Sequence, residues 1–228
     1  VLTPDDQLRI AKAVEEAEAG TSGEIVVVVA AEVSHYPEVA LAYAALAALA
    51  IPPLILALGL HPLAAAADAG FWMAAEAGAL EGEFTLGLWL YGALQAVLFI
   101  AVFLILEIPT VRRALTPKAL KRHRVERAAR SQFASIASRA KGSDTGVLLF
   151  VAPDDRQVQI LADAALHSKA DDTAWARAAA AIGAAMKAGH DPTSGILEAI
   201  AICGEPLKAH FPEAAPHEHV FSPKPLEI

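Results

Sequence analysis

Acidic residues collect where the apolar runs of this chain end. Asp154 and Asp155 fill a turn between "TGVLLFVAP" and "RQVQILAD", Asp163 closes the second of those runs, Glu32 follows "EIVVVVAA", and Asp171 and Asp172 open a later periodic stretch. In open α/β sheets ligands gather at the carboxyl ends of strands, and clustered carboxylates are hard oxygen donors suited to calcium or magnesium. Asp163 is the leading ligand candidate because it directly follows a strand, and Asp154 and Asp155 are its companions. Each of these acids also has a local explanation as a turn or cap residue. Phosphatase chemistry would add a nucleophile or a metal-activated water, with cations for the phosphoryl oxygens. Arg156 and Ser143-Asp144-Thr145 offer groups of that kind. Without a Gly-rich phosphate loop, a CxxxxxR arrangement or a DxDx motif, no catalytic residue is assigned. His217-Glu218-His219 could hold a transition metal and reads more simply as polar surface; Cys203, the single cysteine, reads as a small buried hydrophobe.

The elements that would position these residues are unusually apolar. Of 228 residues 55% are hydrophobic and 19% charged, and the mean hydropathy is +0.43, above the range of an average soluble protein. Two runs carry no charge, Val39 to Leu60 and Leu86 to Leu106. Each is long enough to cross about 30 Å of hydrocarbon and neither shows the one-sided pattern of a soluble helix. Pro52 and Pro53 should kink the first. Tyr43, Trp89 and Tyr91 suit the interfacial level, and Gln95 suits a hydrogen bond between the two helices.

Charge orients this expected hairpin. The connection 61–85 holds Asp68, Glu76, Glu81 and Glu83 with no Lys or Arg, whereas "VRRALTPKALKRHRVERAAR" follows the second run directly. By the positive-inside tendency the basic side, starting at Arg112 and Arg113, is cytoplasmic, both termini share it, and Trp72 in the outer connection either dips into the lipid surface or belongs to a flexible loop. The basic stretch meets anionic lipid headgroups, and His123 within it faces solvent or those headgroups. A formal net charge of −8 argues against nucleic acid as a partner.

The flanking halves must then share one sheet. Thr3, Pro4 and Asp6 start a capped helix whose apolar face is Ile10, Val14 and Ala17, ending at Gly20. "IVVVVAA" follows as a strand covered on both faces. Past the hairpin, Thr116 and Pro117 open a helix with Val125, Ala129, Phe133, Ile136 and Ala140 on one stripe. Two strands turn at Asp154-Asp155, and two more helices begin near Asp172 or Thr173 and near Thr193 or Ser194. The expected fold is α/β, a small mixed β-sheet sandwiched by helices and interrupted by a two-helix transmembrane hairpin. Its domain is split over residues 1–35 and 107–212, the hairpin spans 36–106, and a mobile tail covers 213–228.

On "LTPDDQLRIAKAVEEAEAGTSGEIVVVVA", "SRAKGSDTGVLLFVAPDDRQVQILADAAL" and "LKAHFP", the chain resembles the TPM-domain family, in its bacterial branch with membrane helices. "DAAL" departs from the glycine expected after the acid in many relatives. The resemblance implies service to membrane complexes, because the animal member is an auxiliary membrane subunit and plant members aid photosystem repair. It also implies, through the weak acid phosphatase activity reported for plant members, an alternative as a membrane-associated phosphatase. The expectation is therefore a bacterial inner-membrane accessory, assembly or maintenance factor that docks on a larger integral-membrane complex.

Overall fold

The computed structural model describes residues 2–31, 33–58, 80–137, 146–169, 172–188, 191–212 and 221–228. The chain divides into two compact units, Val1–His35 with Pro117–Ile228, and Tyr36–Thr116.

The first unit begins with α1 (Pro4–Glu18). Thr3 Oγ1 accepts from the Asp6 amide at 3.2 Å and the Asp6 carboxylate accepts from the Thr3 amide at 3.1 Å, a reciprocal cap that satisfies two otherwise orphaned donors. Ile10, Val14 and Ala17 are buried, and the chain turns away past the Ala19 cap at Gly20, whose φ of +82° suits a residue without a Cβ. Strand β1 (Glu24–Val29) is buried along its whole length. It pairs in parallel with β2 (Gly146–Ala152), from Glu24 opposite Gly146 to Val29 opposite Val151. Strand β3 (Gln157–Ala162) returns antiparallel to β2, and the sheet order is β3-β2-β1-β4. Parallel neighbours need a long crossover rather than a tight turn. The crossover ends in α5 (Lys118–Ala137), and the second unit is inserted ahead of it.

Alternation along β1 and β2 separates two cores. Ile25, Val27, Val29, Val147, Leu149 and Val151 face α1 and the helices α7 (Asp172–Lys187) and α8 (Pro192–His210), which contribute Trp175, Ile182, Ile196 and Ile200. Val26, Val28, Leu148 and Phe150 face Val125 and Ala129 of α5, with Phe133 and Ile136 packed alongside. A four-residue helix, α6 (Ala164–His167), follows β3.

Three local features differ from the sequence expectation. Asp191, rather than Thr193 or Ser194, caps α8, its carboxylate accepting from the Thr193 amide at 3.1 Å. Thr116 does not cap the helix that follows; its hydroxyl donates to the Arg112 carbonyl at 2.8 Å and closes the preceding one. The chain end is not wholly a mobile tail. Leu226–Glu227 forms β4, parallel to β1, with the Ala31 amide donating to the Ile228 carbonyl at 3.0 Å and the Ile228 amide to the Val29 carbonyl at 3.1 Å. Polar, proline-rich composition predicts mobility, but the open edge of β1 offers unpaired backbone groups that this segment satisfies. Residues 213–220, with His217 and His219, lie outside the described residues.

The second unit comprises α2 (Pro37–Ala57), α3 (Leu80–Glu107) and α4 (Pro109–Leu115). Helix α2 runs on through Pro52 and Pro53 and packs against α3. The helix breaks at Ile108, ahead of Pro109, as expected where a proline disfavours the helical conformation of the residue before it. Among the described residues one helix, Pro37–Ile55, is long and apolar enough to cross a membrane. The pair Tyr91–Glu107 and Pro109–Leu115, bent by 97°, is a second if taken as one span. Trp72 and most of the 61–85 connection lie outside the described residues.

Helices α7 and α8 approach closely over Gly195 of α8. A Cβ there would stand 2.7 Å from the Ile182 Cα and 2.9 Å from the Ala185 Cβ of α7. Gly195→Ala is expected to destabilise this unit by about 1–3 kcal/mol through overpacking, read as a lowered urea midpoint; an unchanged midpoint would show that the two helices separate freely.

Candidate functional site

The antiparallel return of β3 decides which acids can meet. Asp154 and Asp155 lie in the turn after β2, Asp154 exposed and Asp155 buried. The turn closes with the Arg156 amide donating to the Pro153 carbonyl at 3.0 Å, Arg156 itself holding a φ of +52°. Asp163 is at the opposite end of the hairpin, where its amide donates to the Gly146 carbonyl at 3.1 Å. A six-residue strand separates the two places by roughly 20 Å at about 3.3 Å per residue. The three acids therefore do not converge on one cation. "Following a strand" describes both positions in the sequence, but only in a parallel pair would those positions share an end of the sheet. Asp163 caps α6, accepting from the Ala164 amide. Among the described residues no group of three or more His, Cys, Asp or Glu is placed to hold a metal ion. Glu32 and Asp171 lie outside those residues.

The register instead sets Asp163 near Glu24, an acid not among the sequence candidates. Glu24 stands opposite Gly146, and Asp163 follows Ala162, the partner of Val147, on the other side of Gly146. By strand alternation both belong to the sheet face that α5 covers, with Cα atoms about 10 Å apart across two strand spacings and no side chain on the glycine between them. Glu24 is buried, and its Oε2 accepts from the Phe221 amide at 3.2 Å.

Glu18, at the end of α1, adds a third carboxylate at this end of the sheet. It is only 7% exposed, and its Oε1 accepts from the Ile25 amide at 2.7 Å, which ties α1 to the start of β1. Burial pushes its acid up to about 7, the charges of Glu24 and Glu15 add to the rise, and the Ile25 hydrogen bond opposes it. A carboxyl with that value exchanges protons near neutral pH, as a general acid or base must. Both residues left a signal in the sequence. Glu18 occupies a stripe position, four residues after Val14, and Glu24 is the charged first residue of an otherwise apolar strand.

The second unit holds the residues expected at membrane or partner contacts. Trp89 is 75% exposed. Gln95 Nε2 donates to Tyr91 Oη at 3.4 Å along the same helix, rather than across to α2; the two stand four residues apart and thus on one face. Arg112 is buried, not presented openly, with Nη1 3.5 Å from the Glu107 carboxylate across the helix break, and Arg113 is half-buried. The bend at Ile108 turns the first basic residue back onto the last acid of α3.

Residues 110–205 match the family model of the TPM domain. No functionally curated protein matches the chain. The NMR structure of the BA42 protein from the psychrophilic bacterium Bizionia argentinensis is similar with a TM-score of 0.53 and 15% identity, over 99% of this chain and 94% of that one. At that identity the likeness is one of fold.

The raised acid of Glu18 makes stability depend on pH. The folded chain binds this proton more tightly than the unfolded chain, so the contribution is complete below the ordinary value of 4.5 and is lost as pH rises through about 7. The loss approaches about 3 kcal/mol by linkage. Urea midpoints measured in mild detergent from acid to alkaline pH are expected to fall across that window and to flatten in Glu18→Gln; an equally steep fall in the variant would assign the slope to other groups.

Proposed function

We propose that this chain is a membrane-anchored accessory, assembly or maintenance factor that docks on a larger integral-membrane complex of the bacterial inner membrane. In this reading residues 36–106 are a transmembrane hairpin inserted in a TPM-like domain, and both termini are cytoplasmic. The observation that carries it is the surface of the second unit. Helices α2 and α3 pack on each other yet leave Leu46, Leu49, Leu54, Trp89, Val97 and Leu104 more than half exposed. An apolar surface of that breadth is costly in water and normal in lipid or at a protein interface. Basic residues gather directly after α3 and are absent from the 61–85 connection, which supports the orientation. The insert joins the sheet unit through two chain crossings, at His35 and at Pro117, where a tethering linker would give one.

A second reading, phosphate-ester hydrolysis at the inner membrane, is favoured by Glu24 and Asp163 on either side of Gly146. Two carboxylates suit calcium or magnesium by donor type and fall short of the six or more oxygens such an ion takes, so other ligands would have to complete the shell.

Purification of the tagged chain from its own membranes in mild detergent, with mass spectrometry of co-purifying proteins, separates these readings. The accessory role predicts a stoichiometric integral-membrane complex that is lost in Trp89→Glu and retained in Asp163→Asn. Recovery of the chain alone, together with phosphate-ester hydrolysis abolished by Asp163→Asn or Glu24→Gln, would replace it with the enzyme. For topology, a reporter inserted in 61–85 is expected outside the cytoplasm, and a cytoplasmic signal would reverse the orientation.

A further inference from the structure

At the first turns of α5 the surface sinks into a depression of about 410 Å³ lined by Lys118, Ala119, Arg122, His123, Glu126 and Gln157, within the size range of small-ligand sites. Its chemistry follows from helical spacing. Lys118, Arg122 and Glu126 recur every four residues and form one row, with Ala119 and His123 in the adjacent row. The next member of the first row is Arg130, whose Nη2 donates to Glu126 Oε1 at 2.6 Å. The single acid of the depression is thus already engaged by a cation outside it. The side chains of Lys118, Arg122 and His123 are exposed and make no ion pair or hydrogen bond with any described residue. Three nitrogen-bearing side chains, with the Gln157 amide opposite on β3, surround a space whose one carboxylate, Glu126, is already paired with Arg130.

We propose that this depression binds a phosphate group. A tetrahedral anion with several oxygens can take charge-assisted hydrogen bonds from a lysine, a guanidinium fork and an imidazole at once, which a planar carboxylate matches less well. A single bounded depression, on a chain of formal charge −8, does not provide the extended basic track of a nucleic-acid surface. The phosphate belongs either to a phospholipid headgroup or to a soluble phosphate ester, and the same residues serve both. The site is built wholly from the sheet unit and stands whether or not the accessory role holds.

The test uses the full chain in phosphatidylcholine nanodiscs, titrated with glycerol phosphate and with inorganic phosphate by calorimetry. Saturable binding is expected, weakened at least about tenfold, or about 1.4 kcal/mol, by Lys118→Ala with Arg122→Ala. Arg130→Ala frees the Glu126 carboxylate and is expected to weaken binding, and Glu126→Gln added to it restores binding, a recovery that general misfolding would not give. Repeating the titration in discs containing phosphatidylglycerol separates the sources: suppression by the anionic lipid assigns the site to a headgroup, and undiminished binding assigns it to a soluble ester. No saturable binding of either phosphate in phosphatidylcholine discs, or binding indifferent to the Lys118 and Arg122 changes, would overturn the proposal.

Discussion

The parallel ladder between β1 and β2 is the constraint on which the rest of the structure depends. Six residue pairs run from Glu24 and Gly146 to Val29 and Val151, although the two strands lie far apart in the chain. A parallel pair cannot close without carrying the chain back along the sheet, and α5 does this on the face lined by Val26, Val28, Leu148 and Phe150. Because a crossover is required in any case, added chain within it costs little, as loop-closure entropy grows only slowly with length. Residues 36–116 occupy that permissive place. The same ladder leaves one edge of β1 open for β4, and it brings Glu24 and Asp163 to one end of the sheet.

The two units solve burial differently. In the first, β1 and β2 are covered on both faces, so each core strand disappears from solvent and charged groups lie outside or are hydrogen-bonded, as Glu18 and Glu24 are. In the second, two helices cover each other along one side and keep large aliphatic residues outward. A uniformly apolar helix has no polar face to turn toward water, which is why the proposed function begins from the surface of this unit rather than from any catalytic constellation.

Local features were the most legible in the sequence. The Thr3 and Asp6 cap, the stripe of Ile10, Val14 and Ala17, the two-sided burial of β1 and the turn at Asp154-Asp155 all follow from short-range rules of capping, periodicity and turn chemistry. What escaped depends on pairing between distant segments. Leu226–Glu227 becomes a strand because β1 has a free edge, and no composition of the tail announces that. The candidate acid site shifted from Asp154, Asp155 and Asp163 together to Asp163 with Glu24: the hairpin turn at Asp154-Asp155 already sets the two ends of β3 apart, and only the parallel register of β1 with β2 places Glu24 beside Gly146. Arg112 and Gln95 were placed by membrane rules for exposed or interhelical side chains, whereas the break at Ile108 and the four-residue spacing to Tyr91 give each a partner close in sequence.

The claim at the centre of this account is that the sheet unit forms across an insert that supplies the attachment to the membrane. Alkaline carbonate fractionation of the full chain, side by side with a chain in which a short glycine-serine linker replaces residues 36–116, tests it most directly. The account predicts that the full chain stays in the membrane pellet while the excised chain becomes soluble and unfolds cooperatively. A full chain that washes free, or an excised chain that remains in the pellet, would contradict it.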